Sequence, residues 1–140
     1  DANALAATAP EVDLAYIDPP YNQHPYGSNY FMLNLLADYR EPDAVSPVSG
    51  IPRNWNRSVY NSRKEAAPAF FSLLETIRAK YLLVSYNSEG FIPHAELEAC
   101  LARLGQVTST AISYHTFRGS RNLRARAPRV IEYLFLVKRA

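Results

Sequence analysis

The sequence predicts an α/β domain with a mostly parallel sheet that ends in an antiparallel hairpin, and three observations carry that reading. Two short apolar runs, Val12 to Asp18 (VDLAYID) and Tyr81 to Tyr86 (YLLVSY), have the length of buried strands and are too short for helices. Three longer segments repeat apolar residues at helical spacing. The last third alternates apolar with polar residues over VTSTAISYHTF and RVIEYLFLVKR, which suits two strands joined by an exposed loop. A strand, helix, strand, helix, strand order favours strands laid parallel, with the final pair folded back on itself.

Each element has a local reason. VDLAYID lies after Pro10 and stops at Pro19 and Pro20, which remove two backbone donors and fix two φ angles, so the chain leaves the sheet there in one rigid shape. Tyr30 to Tyr39 (YFMLNLLADY) is expected to be a helix, with Ser28 or Asn29 as its N-cap. From Arg40 to Asn61 the chain turns rich in Pro, Asn and Arg; a loop of that length is usually functional or disordered, and Trp55 and Tyr60 argue against disorder. Lys64 to Lys80 resumes helical spacing through Phe70, Phe71, Leu74 and Ile77. Pro93 to Leu104 is the third helix, with Gly105 expected as the C′ residue that ends it. No internal repeat is visible.

Composition narrows the class. The 140 residues fit one domain, and 48% hydrophobic content supports a real core. A lone Cys100 excludes an internal disulfide and a cysteine-built metal site, so a cytoplasmic protein is expected. His24, His94 and His115 share no metal-like spacing, and no metal is expected. No apolar run approaches membrane-spanning length, and DANALAATAP lacks the basic and apolar regions of a signal peptide. The net charge of +2 says little, but its distribution says more. Arg118, Arg121, Arg124, Arg126 and Arg129 share one stretch without an acid, whereas Glu89, Glu96 and Glu98 gather elsewhere. The chain does not begin with Met, which suggests a fragment or a processed piece.

The segment Asp18-Pro19-Pro20-Tyr21 admits two readings. It is a rigid turn, with Asp18 accepting a local amide and Tyr21 packed on the prolines. Or it is a chemical device for an aryl amine such as that of adenine, a poor nucleophile because its lone pair is conjugated into the ring. Two acceptors set against its N–H bonds draw the nitrogen toward a tetrahedral geometry and stabilise the positive charge that grows during methyl transfer. Asp18 offers a carboxylate, Pro19 a backbone carbonyl, the prolines rigidity and Tyr21 a face on which to stack a base. The tetrapeptide alone does not decide between them.

The wider sequence resembles a family. DLAYIDPPYNQHPYGSNYFML, followed by YLLVSYNSEGFI and SYHTFRGSRNLRARAPRVIEYLFLVKR, looks like the catalytic motif, the next strand with its loop, and the closing hairpin of the adenine-specific DNA methyltransferases of the Dam-like class. The likeness runs over nearly the whole chain. It implies a partial Rossmann-like, S-adenosylmethionine-dependent methyltransferase fold acting on double-stranded DNA, with no metal. By resemblance Asp18, Pro19, Pro20 and Tyr21 form the catalytic motif. Asp18, Tyr30 and Phe31 would lie near S-adenosylmethionine or the target base, and Asp1 looks like the acid that contacts the cofactor's adenosine. The family's glycine-rich cofactor loop and target-recognition region have no counterpart here, so residues 1–140 are expected to be the C-terminal portion of a catalytic domain. A missing N-terminal half or partner chain is then expected to complete it, and the fragment alone is expected to be inactive.

Other residues carry paired readings. Arg118, Arg121, Asn122, Arg124 and Arg126, with Ser120, read as phosphate contacts on a duplex or as a solvated hairpin tip. Arg53, Trp55, Arg57 and Tyr60 either contact DNA near a flipped base or form a surface loop pinned by Trp55. Ser85, Asn87 and Glu89 either order the site or, with Gly90, make a turn. Two rival functions remain: an RNA base-amine methyltransferase, and a nucleic-acid-binding accessory module without activity of its own.

Overall fold

The computed structural model describes residues 1–115 and 129–140. It begins with a helix that the sequence reading missed, α1 (Ala2–Thr8). The Asp1 carboxylate caps it, accepting from the amides of Asn3 and Ala4 at 2.8 and 3.2 Å. Seven residues do not hold a helix in water unaided. Asn3 supplies the anchor, donating to the Ala69 carbonyl at 2.8 Å and accepting from the Tyr60 hydroxyl at 2.6 Å.

Strand β1 (Val12–Ile17) follows, then a single helical turn α2 (Tyr26–Asn29) and helix α3 (Phe31–Asp38). The start of α3 corrects the expected cap: Ser28 and Asn29 belong to α2, and Tyr30 takes the N-cap position without a side-chain bond. The Ser28 hydroxyl is spent on the Pro25 carbonyl at 3.2 Å. At the other end Tyr39 adopts φ 49°, the left-handed conformation that closes a helix.

Helix α4 (Ala66–Thr76) is shorter than its periodicity implied, because strand β2 (Ala79–Asn87) claims the expected last turn. The Val12 amide donates to the Arg78 carbonyl at 3.0 Å, and Ala79 is already in register with Val12. Helix α5 (His94–Leu104) runs straight into strand β3 (Gly105–His115), and strand β4 (Arg129–Arg139) ends the sheet. Gly105 therefore does not make the expected left-handed cap; it is extended at φ 163° and pairs with Arg139 as the first residue of β3.

The sheet has the order β1-β2-β4-β3. Strand β1 is parallel to β2, whereas β4 runs against both of its neighbours. The α/β class and the closing antiparallel pair are as expected, but with one parallel and two antiparallel pairings among the described strands the sheet is mixed rather than mostly parallel, because β4 inserts beside β2. The two faces of the sheet differ. Leu82 and Val84 of β2, in register with Val137 and Phe135 of β4, turn toward Phe70 and Leu74 of α4 and Leu97, Cys100 and Leu101 of α5. All nine are buried. Burial also pushes the Cys100 thiol upward, away from the reactive thiolate. On the other face Leu14, Tyr16, Tyr81 and Leu136 are exposed. Among the described residues no helix is long and apolar enough to cross a membrane.

Candidate active site

The chain leaves β1 immediately after Ile17, the last residue paired with β2. Asp18 emerges at the C-terminal end of a parallel strand, where open α/β sheets bind their ligands. Pro19 is buried behind it, and Pro20 and Tyr21 are half-buried. The Tyr21 carbonyl accepts from the Phe91 amide at 2.9 Å, which ties the motif to the turn after β2. The Tyr21 ring meets Tyr86 edge-on at 6.4 Å, and Tyr86 in turn stacks on Phe70 at 6.0 Å. A line of rings thus connects the motif to the core, and the Tyr86 hydroxyl accepts from the Ile92 amide at 3.1 Å.

Gly90 makes that turn possible. A Cβ there would lie 2.3 Å from the Tyr86 ring. Gly90→Ala is therefore expected to cost about 1–3 kcal/mol, the usual penalty of forced overpacking. Urea denaturation measures it, and an unchanged midpoint would refute the contact.

Asp18 keeps access to water, yet its pKa is raised above the ordinary aspartate value of 3.8. Partial burial is the largest cause, the negative charge of Glu132 the next, and a hydrogen bond from Tyr16 opposes both. Tyr21 is pushed up as well, first by burial and then by Tyr114 and Glu132. Glu132 belongs to a polar cluster beside the motif. It accepts from Ser85 at 2.7 Å and from Asn87 at 2.9 Å, and the Asn87 amide also reaches the Tyr114 hydroxyl at 2.8 Å. Asn87 in addition accepts from the Glu89 amide at 2.9 Å, and its carbonyl accepts from Gly90. The turn reading of this segment holds, since Asn87 accepts from both Glu89 and Gly90, and the Asn87 side chain also joins the polar cluster beside the motif.

The long loop is built onto the motif. Asn61 donates to the Asn22 carbonyl at 2.7 Å, and the Trp55–Asn56 segment lies directly on α2. Gly27 permits this approach, because a Cβ there would sit 2.7 Å from the Asn56 carbonyl oxygen. Trp55 is half-buried and Arg57 stacks over its ring at 4.2 Å. Tyr60 turns inward and is buried against Phe70 instead of facing a partner.

Two hollows flank the motif. One, of about 700 Å³, is lined by Asp1, Leu5, Val12, Ile17, Asp18, Pro19, Asn56 and Arg57 among others. The second, of about 540 Å³, is lined by Tyr21, Tyr30, Asn87, Tyr114 and Val130 among others. Pro20 and Tyr26 border both. The structure thus brings Asp1 and Asp18 to one hollow and Tyr21 and Tyr30 to the other, while Phe31 lines neither. Tyr26 and Tyr30 stand together at 5.7 Å. Arg118, Ser120, Arg121, Asn122, Arg124 and Arg126 lie outside the described residues. Arg129, which is described, donates to Ser113 across the β3–β4 pair.

Sequence reasoning missed Glu132 and Tyr114. The signal for Glu132 was present: a single acid amid the apolar run VIEYLFLV requires hydrogen-bonded partners if that run is a central strand. His94 lies against Tyr133, ring centroids 4.3 Å apart and planes tilted by 50°. Among the described residues no three His, Cys, Asp or Glu side chains gather as a metal site would require.

Comparison with known proteins gives a consistent set of relatives. The family profile described as D12 class N6 adenine-specific DNA methyltransferase matches residues 1–99. The type II methyltransferase M.CviAII of Paramecium bursaria Chlorella virus 1 is 32% identical over 127 residues, covering 91% of this chain and 37% of the relative. M.NlaIII of Neisseria lactamica is 32% identical over 143 residues, covering 99% of this chain and 41% of the relative. M.FokI of Planomicrobium okeanokoites is 33% identical over 140 residues, covering 99% and 22%. The chain thus spans well under half the length of each. No solved structure matches.

Proposed function

Because the chain belongs to the D12 class of N6 adenine-specific DNA methyltransferases, we propose that it is the C-terminal portion of a catalytic domain that methylates the exocyclic amine of a flipped adenine in double-stranded DNA. We also assign it, on its Asp-Pro-Pro-Tyr motif, to the Dam-like members of that class, working in the cytoplasm in a DNA-modification system. One observation carries the mechanism: the Asp18 carboxylate lines an apolar hollow, and Pro20, two residues on in the same rigid motif, borders both that hollow and a second one lined by aromatic rings.

The larger hollow suits S-adenosylmethionine in its chemistry. Apolar walls from Leu5, Val12 and Ile17 suit a ring and methylenes, and Asp1 and Asp18 offer acceptors for hydroxyl and ammonium groups. Both capping bonds of Asp1 fall on Oδ1, which leaves Oδ2 as an acceptor. When bound, the cofactor supplies an electrophilic methyl on sulfur. The chain's own residues do the rest. Tyr21 stacks the base, worth about 1–3 kcal/mol, which helps offset the few kcal/mol of unstacking it from the duplex. Asp18 and the Pro19 carbonyl accept from the two N–H bonds of the amine and stabilise the charge that grows on its nitrogen. Arg57, fixed over Trp55, contacts the DNA near the flipped base, and Arg118, Arg121, Asn122, Arg124 and Arg126 hold phosphates.

The test is transfer of radiolabelled methyl from S-adenosylmethionine to long unmethylated duplex DNA by the intact protein that carries this chain. Label recovered as N6-methyladenine is the expected result. Label in structured RNA alone, or DNA binding without any transfer, would replace the proposal with an RNA enzyme or an accessory module. In the same assay Tyr21→Phe is expected to stay within about threefold of the wild type and Tyr21→Ala to fall by about 10- to 100-fold, the loss of one stacking partner. Equal rates in the two variants would remove stacking from the mechanism.

A further inference from the structure

We propose that Glu132 is a positioning residue of this site: from β4 it locks Ser85, Asn87 and Tyr114 into one arrangement, the wall of the Tyr21 hollow against which a base is set toward Asp18. The inference rests on the methyltransferase reading above.

Register puts the four residues on one face. Asn87 pairs with Glu132, Glu132 with Ile112, Ser85 with Leu134 and Tyr114 with Val130, so all four side chains project from the sheet face opposite α4 and α5. Both carboxylate oxygens of Glu132 are used. Oε1 accepts from Ser85 at 2.7 Å, and Oε2 accepts from Asn87 at 2.9 Å and lies 3.4 Å from the Tyr114 hydroxyl. Asn87 is buried at 3% exposure and every polar atom of its side chain is engaged, with its amide nitrogen shared by Glu132 and Tyr114 and its oxygen taken by Glu89.

A carboxylate is suited to this task because it only accepts. It therefore fixes which way the Asn87 amide points, and Asn87 in turn donates to the Tyr114 oxygen. The Tyr114 hydroxyl is then left with its own proton to donate, to Glu132 at the long distance of 3.4 Å or to an acceptor in the hollow that Tyr114 lines. Adenine's ring nitrogens are such acceptors. Holding the β3, β4 and β2 ladder together does not need a charged group on this face, since an apolar side chain would cost less to bury. The charge is better explained by the order it imposes on the hollow, and its field also reaches Asp18.

The experiment compares Glu132→Ala, Glu132→Gln and Tyr114→Phe in the intact protein, with S-adenosylmethionine and long unmethylated duplex DNA. Glu132→Ala is expected to lower kcat by about 100-fold, the scale of a small misplacement of a bound reactant, with the cofactor KM unchanged within about twofold. Glu132→Gln can still accept from Asn87 and donate to Ser85, and should recover to within about tenfold of the wild type. Tyr114→Phe removes the oxygen that accepts from the buried Asn87 amide and should lower kcat by about tenfold, with a smaller loss of thermal midpoint than Glu132→Ala. Wild-type kcat in Glu132→Ala or in Tyr114→Phe overturns the proposal. So do equal losses in the Gln and Ala variants that follow their thermal midpoints. If the unmodified protein transfers no methyl to adenine, the functional reading fails and the lock is judged by NMR. Asn87 side-chain amide exchange should be at least about tenfold faster in Glu132→Ala than in the wild type and slow in Glu132→Gln, and fast exchange in the wild type would reject it.

Discussion

Asp18→Ala in the intact protein is expected to lower methyl transfer by at least about 100- to 1,000-fold, the range measured when one preorganised electrostatic group is removed from a transition state. DNA affinity should change little, because phosphate contacts supply most of it. The assay is single-turnover methylation beside a DNA titration, and turnover near the wild-type rate would sink the acceptor mechanism. A pH profile adds an independent check. The motif's carboxyl must be ionised to accept from the amine, and its pKa is raised by burial and by Glu132. The acid limb of the rate should therefore lie above 3.8, the ordinary aspartate value. The linkage to stability has the opposite sign from that of an ion-paired aspartate. A raised folded-state pKa means that ionisation disfavours the fold above that pKa, and the penalty vanishes as pH falls below the unfolded value. Asp18→Asn should accordingly fold at least as stably as the wild type at neutral pH while losing activity, which is the trade expected at a functional site.

Phe135→Ala is expected to remove about 3–5 kcal/mol of folding stability, the usual cost of deleting a large core aromatic. Phe135 has no solvent exposure, pairs with Val84 in the ladder, and touches the His94 ring at 5.4 Å. Its strand is interior, so the cavity cannot collapse by shifting an edge. Chemical denaturation reads the loss. A change below about 1 kcal/mol would mean that the helices repack over the gap.

The sequence made the strands legible because their apolar runs are compact and bounded by prolines or turns, as VDLAYID and YLLVSY are. It singled out Asp18 to Tyr21 as a candidate only through the wider resemblance of DLAYIDPPYNQHPYGSNYFML, because the tetrapeptide alone suits a rigid turn equally well. Other features depended on contacts distant in sequence. Helix α1 is only seven residues long and is held by Asn3 bonding to Ala69 and Tyr60, so no local pattern announced it. The end of α4 was misjudged because Ile77 fits a helical stripe, and only pairing with β1 shows that the chain is already extended there. Gly105 has the spacing of a helix cap, yet ladder pairing with Arg139 overrides it. Glu132 became meaningful only when Ser85, Asn87 and Tyr114 arrived from two other strands.

The place of β4 also bears on how the chain is made. It is the last of the described strands, yet it lies between β2 and β3. At ribosomal speeds of about 5–20 residues per second, several seconds separate the emergence of β2 from that of its partner. For that interval β2 offers an apolar edge with no strand to meet it, and β3 has no neighbour at all. The nascent domain is thus exposed to mispairing until the segment bearing Phe135 and Val137 arrives and closes sheet and core in one step.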